Sequence, residues 1–422
     1  MKSMRFDICV IGFALFSMFF GAGNVIFPPF LGLQAGSSWF IGFCCYYLAD
    51  IGLALLALFA MLRHGGAEGI TGRIGSVPSA LLMSVIVLCI GPMVAIPRTA
   101  ATTFELSVAP LTDAITPAVF SVLFFLLIML LCLKESAVVD VVGKFLTPAL
   151  LLGLVILIVK GVLTPLGPVA AAPLAAHIPS LGIEAGYQTM DVLATLLFGS
   201  ILLETVHAKG YDDPKDKFRV VCGSGAVAGI ALLVVYLGLT YLGASASTLF
   251  DVTVNRSVLV TTIVQRLLGK PGVILFAIVV ALACITTATA LVSAAASFFC
   301  KLSHGKLPYT ALVVVFCGFS AVISNVGLDA IVAIAAPILN VVYPPALVLI
   351  LLSFFGRFLP NDNVFRMAAL GALLVSLAGI LPTFGIATPW LDLLPFAGLG
   401  FGWILPAAVF GGVGWLLPSG KK

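Results

Sequence analysis

Apolar runs of about 20 residues recur along the whole chain and constrain its fold more than any other feature. Each run is long enough to cross the hydrocarbon core of a bilayer as an α-helix, which needs about 20 residues. The 422-residue chain is 61% hydrophobic and only 9% charged, whereas soluble domains carry about 25% charged residues. A soluble fold cannot hide so much apolar surface, so we predict an all-α integral membrane protein.

The sequence divides into twelve predicted spans, and the charges between them predict the orientation. The spans are approximately 6–32, 38–62, 77–107, 116–134, 141–163, 184–207, 217–243, 271–301, 307–326, 328–355, 363–385 and 394–417. With both termini inside, sixteen of the 21 lysines and arginines fall on the inner side and four on the outer side. This excess follows the positive-inside rule. We therefore predict a multi-pass protein of the plasma membrane (the inner membrane in a bacterium), with both termini cytoplasmic and the loop 244–270 outside.

The first span contains residues that break helices, in the stretch FFGAGNVIFPPF (Phe19–Phe30). Backbone at membrane depth leaves the helical form only where it is buried in protein or lines a watery cavity. At such a break, the second half-helix presents free N–H groups and a positive dipole end to an anion. The preceding half presents free carbonyl groups to a cation. The break predicts a site for a carboxylate beside a small cation, and a simple kink caused by Pro28 and Pro29 is the alternative.

Features of the first five spans recur five spans later. Span 6 carries Phe198–Ser200 near its middle, where span 1 carries Gly21–Asn24. Spans 5 and 10 both contain Pro-Ala-Leu ahead of an apolar run, after Thr147 and near Tyr343. Because five is odd, the second unit starts from the opposite face, and paired broken spans of this kind indicate the binding site of a transporter. We predict one domain over residues 1–422, with inverted five-helix repeats at 6–163 and 184–355 and two further helices at 363–417.

Span 8 carries a possible set of cation ligands on one helical face. Ala283, Thr286 and Thr287 are three and four residues apart, so they lie on the same side of the helix. A backbone carbonyl and two hydroxyl groups suit a hard cation such as Na⁺. The small residues of this span also permit close helix packing, so the sequence leaves both a sodium site and a packing face open.

Charged residues inside the spans are functional candidates by default. Arg98 and Glu105 lie in span 3, on roughly the same helical face. We assign both of them a structural or gating role, with direct substrate contact by Arg98 as the alternative. Asp50 in span 2 and Asp191 in span 6 are candidates for a proton relay, with pairing inside the bundle as the alternative for Asp50.

Four separated motifs are similar, in this order, to those of one known family: LFSMFFGAGNVIFPPFLGLQAG, IGPMVAIPRTA, GYQTMDVLATLLFG and YPPALVLILL. Over nearly its whole length the chain resembles the branched-chain amino acid:cation symporters, the BrnQ-type carriers. The resemblance implies a LeuT-type fold with broken helices 1 and 6, and import of leucine, isoleucine and valine coupled to Na⁺. The alternative is a proton-coupled or exchange carrier for another apolar or small zwitterionic amino acid.

The resemblance also implies site residues. The unwound segment of span 1 would hold the substrate carboxylate and span 6 would close the pocket, so the implied substrate-binding residues are Gly21, Ala22, Gly23, Asn24, Thr195, Phe198, Gly199 and Ser200. The implied sodium ligands combine carbonyl groups of span 1 with the span-8 cluster, and they are Ser17, Phe20, Asn24, Ala283, Thr286 and Thr287.

Other classes of function lack their signatures in this sequence. An intramembrane enzyme is expected to show serine with histidine, paired aspartates or H-E-x-x-H at membrane depth, and none is visible. A channel is expected to show a filter or a charged ring, and a Walker A loop for ATP is absent. We predict a carrier and not an enzyme, with an amino acid and the lipid bilayer as partners and without nucleic acid or ATP. Oligomeric state, stoichiometry and the ranking of leucine, isoleucine and valine follow from no pattern in the sequence.

Overall fold

A computed structural model describes residues 4–133, 137–359 and 361–418, and within it the side chains of residues 137–149 are not described. Some residues used in the predictions above lie outside the described backbone or side chains, and these are Lys2, Lys134, Lys144, Thr147, Lys421 and Lys422.

The regular secondary structure of the described residues is helical, as a bilayer requires, because helices satisfy their backbone hydrogen bonds within one segment. The first half contains α1 (Met4–Phe19), α2 (Ala22–Ala35), α3 (Trp39–Tyr47), α4 (Leu53–His64), α5 (Ala67–Thr71), α6 (Ser76–Leu88), α7 (Ala95–Thr103), α8 (Pro117–Leu133) and α9 (Ala137–Leu163). The second half contains α10 (Ile178–Thr189), α11 (Asp191–Ala208), α12 (Pro214–Ser245), α13 (Arg256–Leu302), α14 (Tyr309–Ile323), α15 (Leu328–Phe354), α16 (Asp362–Ala378) and α17 (Ile404–Leu416).

Each of the twelve predicted spans coincides with one or more of these helices. In the described residues, eight helical stretches are long and apolar enough to cross a membrane, and three shorter apolar helices accompany them. The prediction of an all-helical membrane protein is therefore confirmed. The boundaries of the two five-helix repeats stay a prediction.

The last two spans are shorter than predicted. Helix α16 ends at Ala378 and α17 begins only at Ile404. The segment between them is apolar, but it turns repeatedly, with 3-10 turns and left-handed backbone at Gly385 and Gly400, both with φ of 79°. Hydropathy alone marked this segment as span because glycine and proline interrupt the helix without making the sequence polar.

The predicted outer loop 244–270 contains a helix of its own, which sequence analysis missed. Helix α13 begins at Arg256, capped by the side chain of Asn255, and bends at Gly269 (φ 66°, ψ −168°), two residues before Pro271. Residues 256–268 therefore form a separate arm before the membrane-spanning part of α13. Asn255 is a favourable helix-capping residue, and it was the available signal for this arm.

Spans 2 and 3 deviate from regular α-helix beside the centre of the bundle. Residues Leu48–Gly52 and Cys89–Met93 each form a π-helical turn, and Gly91 inside the second has non-helical backbone (φ −97°, ψ −126°). Single π turns of this kind occur frequently at functional sites.

Helix α2 packs against α12 with backbone on backbone. A Cβ atom at Gly32 would lie 1.9 Å from the carbonyl oxygen of Thr240, and one at Gly243 would lie 1.8 Å from that of Pro29. Only glycine permits this approach. The contact holds α2 firmly, and so it fixes the position of the helix end that follows the break in span 1.

Candidate functional site

The first span is broken where the sequence predicts it. Helix α1 ends at Phe19, Gly21 is extended (φ −111°, ψ −169°), and α2 begins at Ala22 without a side-chain cap. In the first turn of α2 the N–H group of Asn24 donates to the carbonyl oxygen of Gly21 at 3.2 Å, and the N–H groups before it have no intrahelical partner, as at the start of any helix. Helix α2 continues through Pro28 and Pro29, so a proline kink does not account for the break.

Span 6 is also broken, but our prediction of its position was wrong. Helix α11 runs without interruption from Asp191 to Ala208, through the predicted break at Phe198–Ser200. The chain breaks instead at Met190, whose backbone is left-handed (φ 68°, ψ 13°). Such a conformation is uncommon for a residue other than glycine. Close packing explains the glycine at position 199, because a Cβ atom there would lie 2.6 Å from the sulfur of Met61.

Arg98 of α7 links the two breaks. Its guanidinium donates from Nη1 to the carbonyl oxygen of Gln188 at 2.5 Å and from Nη2 to that of Thr189 at 3.3 Å. It thereby satisfies free carbonyl groups at the C-terminal end of α10. The same Nη2 atom would lie 3.0 Å from a Cβ at Gly23 of α2. Arg98 is only 4% exposed, so the protein buries this charge between the ends of two half-helices.

Two buried carboxyl groups lie on the other side of the break in span 6. Asp191 is the first residue of α11, where the helix dipole favours a negative charge, and its Oδ2 accepts from Asn24 Nδ2 at 2.9 Å. The same nitrogen donates to the hydroxyl group of Tyr236. Asp50, in the π turn of span 2, accepts from the Thr189 hydroxyl at 2.8 Å and is a neighbour of Asp191.

A cavity of about 30 Å³ lies where the two breaks meet. This volume matches about one water molecule, so a larger ligand requires the surrounding helices to move apart. The lining combines both half-helix ends with apolar side chains from spans 3, 6 and 8. The lining residues are Met18, Phe19, Gly21, Ala22, Asn24, Ile90, Ala95, Arg98, Thr99, Thr189, Met190, Asp191, Ala194, Phe198, Thr287 and Leu291.

The predicted substrate-binding residues fall into two groups. Those of span 1 are together at the cavity: Gly21, Ala22 and Asn24 line it, and Gly23 lies against Arg98. Of those in span 6, only Phe198 lines the cavity. Thr195, Gly199 and Ser200 do not belong to its lining, and the Thr195 hydroxyl donates to the carbonyl oxygen of Asp191 at 2.8 Å.

Of the span-8 residues predicted to bind sodium, Thr287 lies beside the break in span 1. Thr287 lines the cavity, and its Oγ1 would be 3.9 Å from a Cβ at Gly21. The Thr286 hydroxyl donates to the carbonyl oxygen of Ala283 at 2.8 Å, which leaves its lone pairs unused. The other two members are at the end of α1, where Ser17 is half-buried and Phe20 is buried. Neutral oxygens on both sides of the break are the ligand type that a hard cation prefers.

Glu105 and its neighbours join three segments at one end of the bundle. Glu105 Oε2 accepts from the Ser257 hydroxyl at 2.5 Å, and its Oε1 accepts from the backbone N–H of Leu328 at 2.8 Å. Arg256 forms an ion pair with Asp329 of α15. Span 3, the arm at 256–268 and the start of α15 are thus held together at this end.

A second polar cluster closes the opposite end, near the start of α1. Asp7 accepts from Lys209 at 2.7 Å and from the Tyr211 hydroxyl at 2.8 Å. The hydrogen bond to Asp7 raises the pKa of Tyr211, because it favours the protonated phenol. The cluster joins the first span to the loop after α11.

Sequence analysis did not find the residues that form the break in span 6. Thr189 and Met190 are not helix-breaking types, so neither gives a local signal. The usable signal was Asp191, because an acidic residue inside an apolar span is costly unless it starts a helix or has a partner.

Comparison with known proteins gives a consistent result for the whole chain. The family model described as "Branched-chain amino acid transport protein" matches residues 4–420. The branched-chain amino acid permease BrnQ of Salmonella typhimurium is 36% identical over 414 residues, which cover 96% of this chain and 93% of that protein.

Two solved structures have a similar fold. The inward-facing conformation of Mhp1 matches with a TM-score of 0.64 at 13% identity, over 97% of this chain and 90% of that one. MhsT in complex with L-phenylalanine matches with a TM-score of 0.56 at 16% identity, over 96% of this chain and 97% of that one. At these identities the likeness shows the fold, which is that of the LeuT-type transporters.

Proposed function

The chain belongs to the branched-chain amino acid transport protein family, and we propose that it is a secondary active symporter that imports leucine, isoleucine and valine together with Na⁺ by alternating access. The observation that carries this proposal is the cavity between the two broken spans. Free N–H groups, a buried arginine, a buried aspartate and apolar side chains converge there.

The residues that line the cavity are suited to bind an α-amino acid with an apolar side chain. The first turn of α2 and Arg98 offer donors to a carboxylate, as the ends of broken helices do in transporters of this fold. Ile90, Ala194, Phe198 and Leu291 form an apolar part of the lining. An aliphatic side chain buried against them is stabilised by about 0.8 kcal/mol for each CH₂ group.

The oxygens beside Gly21 fit a sodium ion. Thr287 reaches the break, and Thr286 keeps lone pairs free after it donates to its own helix. We therefore assign Thr286, Thr287 and Ala283, with the carbonyl groups at Ser17 and Phe20, as the residues that would hold Na⁺. The bound ion would supply positive charge beside the substrate carboxylate. Asn24 uses its amide nitrogen on Asp191 and Tyr236, which leaves only its oxygen as a ligand.

Proton coupling is the second candidate, favoured by the adjacent carboxyl groups of Asp50 and Asp191. The two candidates differ in which gradient drives uptake. We expect purified protein in proteoliposomes to accumulate radiolabelled leucine under an inward Na⁺ gradient at equal pH on both sides. Accumulation driven only by an inward H⁺ gradient would show that uptake is coupled to protons and not to sodium. No leucine uptake under either gradient would overturn the proposed function.

The span-8 threonines give the residue-level test of the sodium site. Thr286→Val and Thr287→Val keep the shape and remove a hydroxyl ligand, which costs about 1–3 kcal/mol in a dry site. We expect the Na⁺ concentration for half-maximal leucine binding to rise about 5- to 150-fold. Thr289→Val is the matched control, because that hydroxyl bonds to Ile285 of its own helix and is not part of the cavity. If both test variants behave like the control, sodium does not bind at span 8.

A further inference from the structure

Two opposite charges face the cavity without pairing with each other. Arg98 and Asp191 both line it, yet among the described residues no nitrogen of Arg98 lies within 4.0 Å of an oxygen of Asp191. Both side chains are almost fully buried, at 4% and 5% exposure. The hydrogen bonds described above for Arg98 and Asp191 are to neutral groups, and burial of a charge without an opposite charge beside it is costly, so this separation needs a reason.

Arg98 has an unused donor at the cavity. Its Nη1 and Nη2 atoms are bonded to the carbonyl groups of Gln188 and Thr189. Its Nε atom is buried and has no hydrogen-bond partner in the described structure. A buried N–H group of this kind is rare in native proteins, and it leaves Arg98 with one donor that is available to a ligand oxygen.

Asp191 also lines the cavity, and its position is fixed. The amide of Asn24 holds its Oδ2 at 2.9 Å, and the start of α11 stabilises its negative charge. Its location at the break allows a cationic group in the cavity to approach the carboxylate. Asp50 is a neighbouring carboxyl group that does not line the cavity, so the two aspartates are not equivalent.

We propose that Asp191 binds the α-ammonium group of the substrate and that Arg98, through Nε–H, binds its α-carboxylate together with the first N–H groups of α2. The inference rests on the proposed function and adds the source of selectivity for zwitterions. A ligand with only one of the two charges leaves one protein charge buried and unpaired. Leaving one buried protein charge without its partner weakens binding by about 30-fold or more.

The test uses two analogues of leucine that each lack one charge. 4-Methylpentanoate lacks the ammonium group, and 3-methylbutylamine lacks the carboxylate. Binding of leucine and of each analogue is measured by isothermal titration calorimetry and ligand-induced thermal stabilisation on purified protein in detergent. We expect wild-type protein to prefer leucine to either analogue by about 30-fold or more.

Variants of Asp191 and Arg98 are expected to change the relative affinity for leucine and for the analogue that lacks the corresponding charge. Asp191→Asn weakens leucine binding by about 30-fold or more, but it binds 4-methylpentanoate at least as tightly as wild type does, because a repelling charge is gone. Arg98→Gln weakens leucine binding similarly and binds 3-methylbutylamine at least as tightly as wild type does. Thr289→Val is the control, because its hydroxyl group bonds within its own helix and does not line the cavity, and it leaves the ratio of leucine to 4-methylpentanoate affinity unchanged.

Three outcomes would overturn the inference while leaving the proposed function intact. The first is equal loss of leucine and 4-methylpentanoate affinity in Asp191→Asn, which indicates a structural role. The second is a change of the affinity ratio in Thr289→Val as large as in Asp191→Asn. The third is equal affinity of wild-type protein for 4-methylpentanoate and leucine, which would show that the ammonium group is not recognised. This outcome does not depend on whether any variant folds. Wild-type protein that binds no leucine would instead contradict the proposed function itself.

Discussion

Replacement of Gly23 by alanine tests the contact between the broken span and Arg98. A Cβ atom at this position would lie 3.0 Å from Nη2 and 3.2 Å from Cζ of Arg98, and 3.0 Å from the ring of Phe27. These distances are shorter than ordinary van der Waals contacts, so the guanidinium must shift by a few tenths of an ångström. Alanine is otherwise favourable at this position, because it has a better helix propensity than glycine by about 1 kcal/mol. We therefore expect a folded protein with an altered site.

The size of the effect follows from the bonds that Arg98 makes. Its hydrogen bonds to Gln188 and Thr189 are 2.5 and 3.3 Å long, and a shift of the guanidinium weakens at least one of them. A hydrogen bond to a charged group contributes about 1.5–3 kcal/mol. If that amount is lost from substrate binding, leucine affinity falls about 10- to 150-fold. The larger substitution Gly23→Leu fills the space in front of the α2 N–H groups and is expected to abolish binding.

Leucine binding to purified variants provides the assay, and Gly153→Ala in α9 is the control. A Cβ at Gly153 would meet no atom within 4 Å, and this residue does not line the cavity between the two breaks. We expect Gly153→Ala to bind leucine within about threefold of wild type, as a substitution without steric conflict should. Wild-type affinity in both Gly23→Ala and Gly23→Leu would show that substrate does not approach the break. Equal losses in Gly153→Ala and Gly23→Ala would show that the contact with Arg98 does not cause the loss.

Three further predictions address the side-chain pocket, the closure of the bundle and the topology. Affinity should fall about fourfold for each methylene removed from leucine, at about 0.8 kcal/mol per buried CH₂, and alanine that competes as well as leucine would contradict the apolar pocket. Arg256→Asp and Asp329→Arg should each reduce leucine uptake, and the double variant should restore it. A double variant as impaired as the worse single variant would show that the ion pair has no role in gating. A cysteine at Asp213 in a cysteine-free background should react with an impermeant reagent only from the cytoplasmic side, so its labelling from outside intact cells would reverse the predicted orientation.

The sequence predicts the fold well because membrane spans have a simple physical signature. Continuous apolar composition marks each helix, and the break in span 1 is visible because Gly21, Gly23 and Asn24 are helix-breaking residues in an apolar run. The break in span 6 is invisible to the same reasoning. It occurs at Met190, an ordinary helix former, and the structure around it enforces the left-handed backbone.

The candidate site is only half predictable for a related reason. Residues of one span can be grouped by helical periodicity, as Ala283, Thr286 and Thr287 were. The contact of Arg98 with Gln188 and that of Asp50 with Thr189 join residues about 90 and 139 positions apart. Such pairs depend on how the spans pack, and local patterns contain no information about that packing.

The two ends of the bundle are closed by interactions of a strength that suits a carrier. One end is closed by the ion pair of Lys209 with Asp7 and the other by that of Arg256 with Asp329. The side chains of Lys209, Arg256 and Asp329 are partly exposed, whereas that of Asp7 is 8% exposed. Pairs of this kind contribute about 0–1 kcal/mol when they are accessible to water. A substrate can shift an equilibrium between conformations only by the difference in its affinity for them. In the alternating-access cycle that we propose, a weak closure such as that of Arg256 with Asp329 keeps the two open forms close in free energy, and the binding energy at the central cavity then favours one of them over the other.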